Sequence, residues 1–205
     1  MNQNVTVRIQ GVSPLIINRY PGEQLPPPKP KTKTEAWIKD QRFTKWITAA
    51  WYTPFEEPNT ADKVGVFAVP PIMIEGALFK AAAAFRKQQS FKMAVMCSDL
   101  DIPILVNRGN GKYTALEGRL GDFYAEQGPF VDLRGCPNAR GQMVEQCRPI
   151  FRDWAIEFRL VFDDQAVNSD EVKKACTGMI LGSFRPRYGR SSLEAFKVLK
   201  VAKAA

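Results

Sequence analysis

The clearest alternation of apolar and polar positions lies near the N-terminus, in the stretch "NVTVRIQGV". Val5, Val7 and Ile9 alternate with polar residues, which predicts a strand with one buried face. The stretch "WAIEFRLVFDD" repeats the pattern, and its apolar positions are Ile156, Phe158, Leu160 and Phe162. The segment "LEAFKVLKV" predicts a last strand. These segments predict the central strands of a sheet.

Helical spacing marks two segments that follow the first strand. One helix is predicted from Thr34, a suitable N-cap, to Pro54, which ends it. Another follows the Pro70–Pro71 break and is predicted to begin at about Ile74. The apolar stripes are Phe43, Trp46, Ile47, Ala50 and Trp51 in the first helix, and Leu78, Ala81, Ala82 and Phe85 in the second. Tryptophans at this spacing indicate core packing rather than base stacking.

A third helix is predicted in "SDEVKKACTGMILG", before the last strand. Asn168 and Glu171 have the spacing of a capping box, and Gly182 is suited to end the helix. With its strands and helices mixed along the sequence, the chain is predicted to have an α+β fold.

Two stretches lack this regularity. Residues 21–33 are rich in proline and lysine, which predicts a loop. Residues 90–150 contain many glycines and arginines, which indicates an inserted region of basic hairpins and loops. The chain of 205 residues is long enough for one domain that carries these insertions, so we expect residues 1–205 to form a single domain.

Composition narrows the function classes. The chain has a formal net charge of +8 and contains no histidine, which favours anionic partners and excludes Ser–His–Asp and Cys–His catalysis. Its four cysteines form no CxxC pair, so we expect reduced thiols, no metal and no cofactor. No apolar run approaches the roughly 20 residues of a membrane span. The N-terminus does not resemble a signal peptide, and we therefore expect a cytoplasmic protein that does not associate with membranes.

The stretch "GSFRPRYGR", Gly182 to Arg190, is the main candidate site and is called the arginine loop below. Arginine suits phosphate and also stacks on bases, and aromatic rings supply stacking faces for single strands. We expect the phosphate contacts to come from Arg185, Arg187 and Arg190, and the stacking or bracing from Phe184 and Tyr188. The alternative is an arginine-rich turn paired with Asp153, Asp163 or Asp164. Further candidates for an electrostatic track are Arg19, Lys80, Arg86 and Lys87.

The order of these segments resembles the RAMP superfamily, which includes the backbone subunits of CRISPR effector complexes. The similarity is carried by "VPPIMIEGALFKAAAAFRK", with Gly76–Lys80 matching the pattern that opens the family's helix, and by a glycine- and arginine-rich loop before the last strand. Glu75 stands where the family usually has a basic residue. The chain also resembles small phage and prophage proteins that begin with a strand running into "SPL" and end with "RPRYGR".

The RAMP resemblance implies a ferredoxin-like, RRM-related antiparallel sheet with helices on one face. It implies single-stranded nucleic acid held along a protein filament, with the glycine-rich loop near the nucleic-acid backbone. It further implies that insertions such as residues 90–150 contact nucleic acid or the next subunit. Nuclease members of the superfamily often use histidine, and its absence here implies binding without cleavage.

We therefore expect a non-catalytic protein that binds single-stranded RNA or DNA as a homo-oligomer or as a subunit of a larger complex. One alternative is a phage-encoded protein-interaction module that mimics or inhibits a host nucleic-acid-binding complex. A second alternative is a metal-dependent nuclease built from the carboxylates of Asp99, Asp101 or Asp122.

Overall fold

The computed structural model describes residues 2–19, 32, 34–109, 111–137, 141–183 and 187–199. The fold is mixed α+β, with antiparallel sheets. Within the described ranges, no helix is both long and apolar enough to cross a membrane. The predicted loop over residues 21–33 lies outside these ranges, apart from one residue.

The described residues form the following elements. The helices are α1 (Glu35–Ala49), α2 (Pro71–Ala83), α3 (Gln88–Ala94) and α4 (Ser169–Thr177), with a 3-10 turn at Leu120–Phe123. The strands are β1 (Asn2–Gly11), β2 (Leu15–Ile16), β3 (Val64–Val66), β4 (Ala68–Val69), β5 (Val95–Cys97), β6 (Ile102–Pro103), β7 (Leu105–Asn107), β8 (Tyr113–Ala115), β9 (Glu117–Arg119), β10 (Val131–Pro137), β11 (Met143–Phe151), β12 (Trp154–Asp163) and β13 (Ser191–Leu199).

The chain divides into two compact units. Unit 1 comprises Met1–Leu15, Ala68–Leu116 and Arg152–Ala205, and unit 2 comprises Ile16–Phe67 and Glu117–Phe151. The stretch predicted as an insertion, residues 90–150, is shared between them. That the whole chain acts as a single domain stays a prediction.

The main sheet of unit 1 has the strand order β13-β1-β12-β7-β8, and β5 pairs with β12. The pairings along this order are antiparallel. Strands β1 and β12 pair along nearly their whole length, with Val7 opposite Phe158. The first strand of the chain is thus held between β12 and β13, the last two long strands.

The alternation in the sequence correctly predicts the buried face of this sheet. Val5, Val7 and Ile9 in β1 are fully buried, and so are their β12 partners. Helix α2 contacts α3, α4 and β5, and α4 contacts β13. The opposite face carries charged side chains, including Arg8, which pairs with Glu157 and Glu194.

Unit 2 is built on the sheet β10-β11-β2 and the pair β3-β9. Helix α1 packs on β11. The buried ring of Phe67 makes edge contacts with neighbouring aromatic rings; these belong to Trp46, Tyr52, Phe123 and Phe151. The interpretation of Trp46 as a core residue is confirmed by its complete burial.

Three predicted helix boundaries are wrong. Helix α1 ends at Ala49, because Ala50 already has extended backbone angles. Helix α2 begins at Pro71, since proline is well suited to the first helical position. Helix α4 is closed by Gly178 and not by Gly182. The predicted N-cap at Thr34 and the capping box that opens α4 are both present.

A charged cluster joins α1 to β11 in unit 2. The Arg42 guanidinium donates to both carboxylate oxygens of Glu145, at 2.9 and 2.8 Å, and also pairs with Glu126. This hydrogen bonding holds the pKa of Glu145 below its usual range. The cluster therefore links the helix to the sheet through a charge that depends on pH.

We expect acid to weaken unit 2 through this cluster. Since the pKa of Glu145 is lowered in the folded chain, its contribution is present above the unfolded value, about 4.3. That contribution is lost as the pH falls through the folded value. Urea titrations followed by tryptophan fluorescence, from about pH 6 to about pH 3, should show a steeper loss of stability in the wild type than in Arg42→Met. Equal pH dependence in both proteins would contradict the assignment.

Candidate nucleic-acid interface

The base of the arginine loop is held by backbone hydrogen bonds within unit 1. The Leu181 N–H donates to the Gly189 carbonyl at 2.9 Å, and the Gly189 N–H donates to the Pro14 carbonyl at 2.8 Å. The Arg190 N–H donates to the Ser13 hydroxyl at 3.0 Å, and the Ser13 N–H donates back to the Arg190 carbonyl at 3.2 Å. These hydrogen bonds thus fix the two ends of the loop to each other and to the segment that contains Ser13 and Pro14.

Gly189 is required at this base. Its φ is +75°, and a Cβ built on it would lie 1.8 Å from the Leu181 carbonyl oxygen. Only a residue without a Cβ allows the two backbone segments to approach this closely.

The described cationic side chains of the loop are directed to solvent. Arg187 and Arg190 are exposed, and Tyr188 is half-buried. The Arg187 guanidinium carbon lies 6.0 Å from the centroid of the Tyr188 ring, so that one cation and one aromatic face are adjacent. Phe184 and Arg185 lie outside the described residues.

The alternative of a paired turn receives no support from Asp153. Its carboxylate accepts hydrogen bonds from the Tyr113 hydroxyl and, at 2.8 Å, from the Asn107 side-chain amide. Among the described residues, no carboxylate forms an ion pair with Arg187 or Arg190. Their charges are therefore available to an anionic ligand.

A second group of cations lies where α2 meets α4. The Lys174 ammonium lies 5.0 Å from the centroid of the Phe85 ring, and Lys87 pairs with Glu171 at 3.1 Å. At the other end of this contact, a Cβ built on Gly178 would lie 3.6 Å from that of Ala81. The two helices therefore run antiparallel, and both lysines lie at the end of their contact that Phe85 and Glu171 mark.

The contact between α2 and α4 is close to the arginine loop. Leu181, at the loop base, follows Gly178 by three residues, a span of at most about 11 Å. Lys80 is exposed on α2 beside Ala81. The sequence proposes Lys80, Arg86, Lys87, Arg187 and Arg190 as cationic residues of the site. In the structure they lie on two neighbouring parts of unit 1, which are helix α2 with the turn that closes it, and the arginine loop.

Arg86 occupies a backbone conformation that normally favours glycine. Its φ is +62°, and it is the one non-glycine residue with positive φ in the described ranges. The Arg86 N–H donates to the Ala83 carbonyl at 3.1 Å and the Lys87 N–H to the Ala82 carbonyl at 3.0 Å, which closes α2 with a left-handed cap. An exposed arginine is thus held in place at an energetic cost that glycine would avoid.

Comparisons with known proteins bear on the fold. No protein-family model and no curated protein matches the chain. A solved structure, the cryo-EM structure of the type III-B Cmr-beta bound to cognate target RNA, contains a chain that matches with a TM-score of 0.51 and 13% identity. The match covers 98% of this chain and 62% of that one, so this chain spans about three fifths of the length of its structural relative. The likeness supports a RAMP-like fold.

Glu75 replaces the basic residue expected from the RAMP resemblance, and the structure shows what it does. Its carboxylate accepts a hydrogen bond from the Cys97 backbone N–H at 3.0 Å. Cys97 is in β5, so the acid on α2 satisfies a backbone donor of this strand. Glu75 is therefore a structural residue.

Arg19 belongs to unit 2 and is engaged there. Its guanidinium donates to the Phe55 carbonyl at 2.6 Å and lies 5.4 Å from the centroid of the Trp51 ring. These contacts brace the segment that follows α1. The structure therefore gives Arg19 a stabilising role within unit 2, and its place in an electrostatic track stays a prediction.

Lys174 is not among the candidate residues that the sequence patterns indicate. The available signal is its place in a predicted helix immediately before the arginine loop.

Among the carboxylates considered for a nuclease, Asp99 accepts hydrogen bonds from the Arg159 backbone N–H at 2.6 Å and from its side-chain Nε at 2.7 Å. Asp99 thus fixes an arginine of β12, which accounts for it without a metal.

Proposed function

We propose that the protein binds single-stranded nucleic acid without cleaving it, through a surface called the basic surface below. Its described members are Lys80, Arg86, Lys174, Arg187, Tyr188 and Arg190. The observation that carries the proposal is the arginine loop itself. Its base is fixed by backbone hydrogen bonds, while Arg187 and Arg190 remain exposed.

A fixed base lowers the entropic cost of binding, because the two described ends of the loop do not have to order around a ligand. Arginines contact phosphate, and the Tyr188 ring beside Arg187 gives a base a face on which to stack. Neither contact depends on the identity of the base, as expected for a protein that coats a nucleic-acid strand of any sequence. We extend the proposal to a homo-oligomer or a subunit of a larger complex.

The order of the elements supports a ferredoxin-like core in unit 1. Along the chain, β1, α2, β5, β12, α4 and β13 occur in this order with other elements between them, and β5 pairs with β12 beside the path β13-β1-β12-β7-β8. This order supports the βαββαβ arrangement that the RAMP resemblance implies. The complex that contains the structural relative is bound to cognate target RNA, which makes RNA the first ligand to test.

Binding without catalysis is supported by the state of the nucleophilic side chains. Burial raises the pKa of the Cys97 and Cys147 thiols to about 11 and that of Cys176 to about 12. These thiols are therefore protonated at neutral pH and are poor nucleophiles. The chain also lacks histidine, the commonest general base near neutral pH.

The direct test removes two charges from the arginine loop. We expect Arg187→Ala with Arg190→Ala to weaken binding of a labelled single-stranded RNA about tenfold or more. The slope of log affinity against log salt should fall by about 1.4, since each single-strand phosphate contact contributes about 0.7. Lys39→Ala with Lys197→Ala removes the same charge at exposed positions outside the basic surface and outside residues 90–150 and serves as the control. An equal loss in both double variants would reduce the effect to net charge and contradict the assignment.

Two substitutions of Arg86 distinguish its effect on the stability of the protein from its effect on RNA binding. Arg86→Gly and Arg86→Ala both remove the charge, so both should weaken RNA binding to a similar extent. Glycine relieves the left-handed strain, and we expect Arg86→Gly to be about 0.5–1 kcal/mol more stable than Arg86→Ala. Thermal unfolding and anisotropy titrations of the two variants check both parts. Unchanged RNA affinity in both variants would remove Arg86 from the basic surface.

A further inference from the structure

Lys87 differs from the neighbouring cations of unit 1, because a carboxylate already holds it. Its ammonium lies 3.1 Å from Glu171 Oε1, although the lysine side chain is still 41% exposed. Lys80 and Lys174 are exposed, and within the described ranges no carboxylate forms an ion pair with either of them. Lys87 is therefore a cation beside the basic surface that has an anionic partner within the chain.

The carboxylate of Glu171 is held in place by the capping box of α4. Its Oε2 accepts a hydrogen bond from the Asn168 backbone N–H at 3.1 Å, and the Glu171 N–H donates to the Asn168 side-chain oxygen at 2.9 Å. Burial raises the pKa of Glu171, but the hydrogen bonds from Asn168 and Lys87 outweigh burial and lower it. The carboxylate is therefore fixed and negatively charged at neutral pH.

The backbone of Lys87 is fixed as well, whereas its side chain is long and flexible. The Lys87 N–H donates to the Ala82 carbonyl at 3.0 Å, and the Lys87 carbonyl accepts from the Phe91 N–H at 3.0 Å. The ammonium is carried on a four-carbon stem with rotatable bonds. The side chain is thus able to leave Glu171 and contact another anion without any change in the backbone.

The ion pair lies among members of the basic surface. Arg86 directly precedes Lys87, and Lys174 follows Glu171 by three residues, so that Glu171 and Lys174 are neighbours on α4. The Lys174 ammonium lies 5.0 Å from the centroid of the Phe85 ring, two residues before Lys87. A phosphate bound by Arg86 or Lys174 would therefore lie near Lys87.

We propose that Glu171 regulates the affinity of the basic surface by competing with the phosphates of the nucleic acid for Lys87. This inference rests on the proposed function. The ion pair keeps one cation from the strand and so favours its release. The capping box does not require the charge, because glutamine serves as well as glutamate at this position. A partly exposed ion pair also contributes little to stability.

Glu171→Gln tests the proposal, because it keeps the acceptor of the capping box and removes the charge that holds Lys87. We expect this variant to bind a labelled single-stranded RNA about threefold more tightly than the wild type, since Lys87 adds one phosphate contact. The slope of log affinity against log salt should become steeper by about 0.7. Anisotropy titrations at several salt concentrations measure both quantities, and thermal unfolding checks that the variant is folded.

Asp170→Asn is the matched control. It removes the same charge at an exposed position in the same turn of α4, but within the described ranges Asp170 holds no lysine. This variant should leave the salt slope unchanged. A slope that becomes equally steep in both variants would reduce the effect to net charge and overturn the inference.

A double variant assigns the gain to Lys87. When Glu171→Gln is added to Lys87→Gln, the salt slope should not change, because no lysine is left to release. An increase in slope as large as that in the wild-type background would show that Lys87 is not the cation concerned, and would overturn the inference.

The wild-type protein separates this inference from the proposed function. Binding of RNA by the wild type, with the same affinity and slope in Glu171→Gln, would overturn the regulatory role and leave the proposed function intact. Absence of RNA binding in both proteins would contradict the proposed function, and the inference that rests on it would fall with it.

Discussion

Gly189→Ala is expected to destabilise the protein by roughly 2–5 kcal/mol, the largest effect of any single methyl group that we predict. Two costs add at this position. The left-handed φ of +75° costs a residue with a Cβ about 1–2 kcal/mol. The new methyl carbon would also lie 1.8 Å from the Leu181 carbonyl oxygen, so the backbone must move. Because the same backbone bonds to Pro14, the whole base of the arginine loop would shift.

Gly111→Ala is the matched control for this variant. Gly111 has a φ of +74°, nearly the same as that of Gly189, but nothing lies within 4 Å of a Cβ built on it. It therefore carries only the conformational cost, about 1–2 kcal/mol. Urea unfolding measures both variants, and RNA binding should be lost only in Gly189→Ala. Equal destabilisation by the two substitutions would show that the close approach to Leu181 is not a constraint.

Lys63→Met is expected to destabilise unit 2 by roughly 2–4 kcal/mol. Lys63 is only 7% exposed. Its ammonium lies 3.1 Å from the Tyr52 carbonyl, 2.5 Å from that of Pro54 and 2.9 Å from that of Glu57. It also donates to the Asn59 side-chain oxygen at 3.2 Å. The substitution leaves these acceptors without their shared donor.

The expected loss of stability is smaller than the sum of the contributions of the individual hydrogen bonds of Lys63. Burial lowers the pKa of Lys63, so desolvation of the ammonium already offsets part of the gain. Lys45→Met removes a lysine that donates to one carbonyl, that of Glu145 at 2.7 Å, and should cost about 1 kcal/mol. Tryptophan fluorescence in urea compares the two variants. A Lys63→Met protein as stable as Lys45→Met would contradict the role of Lys63 as the centre of this segment.

Short-range patterns account for what the sequence predicts well. The alternation in β1 and β12 and the capping box of α4 depend on residues a few positions apart, and the structure contains all three. The composition of the arginine loop is also a local signal, since arginines are mostly exposed, and Arg187 and Arg190 are exposed in the structure. The mixed α+β class also follows from these local signals.

Long-range contacts account for what the sequence does not predict. The hydrogen bond from Cys97 to Glu75 joins residues 22 positions apart, which only the tertiary fold brings together. The acceptors around Lys63 lie 4 to 11 positions before it, but they belong to an irregular segment whose path no periodic pattern predicts. Lysines are usually solvated, so nothing local marks Lys63 as buried. The left-handed cap at Arg86 contradicts the preference for glycine, and local rules therefore cannot locate it. The sequence predicts the helix end at Gly182, but Gly178, four residues earlier, offers the same signal and closes the helix.

The basic surface is the central claim, and its most direct test is fluorescence anisotropy with the wild-type protein. Labelled single-stranded RNA, single-stranded DNA and duplex DNA of equal length are titrated at about 50 mM and about 200 mM salt. With about four phosphate contacts, we predict that a single strand binds and that its affinity falls about 50-fold between the two salt concentrations. Absence of binding to either single strand, or binding that salt does not change, would contradict the proposed function.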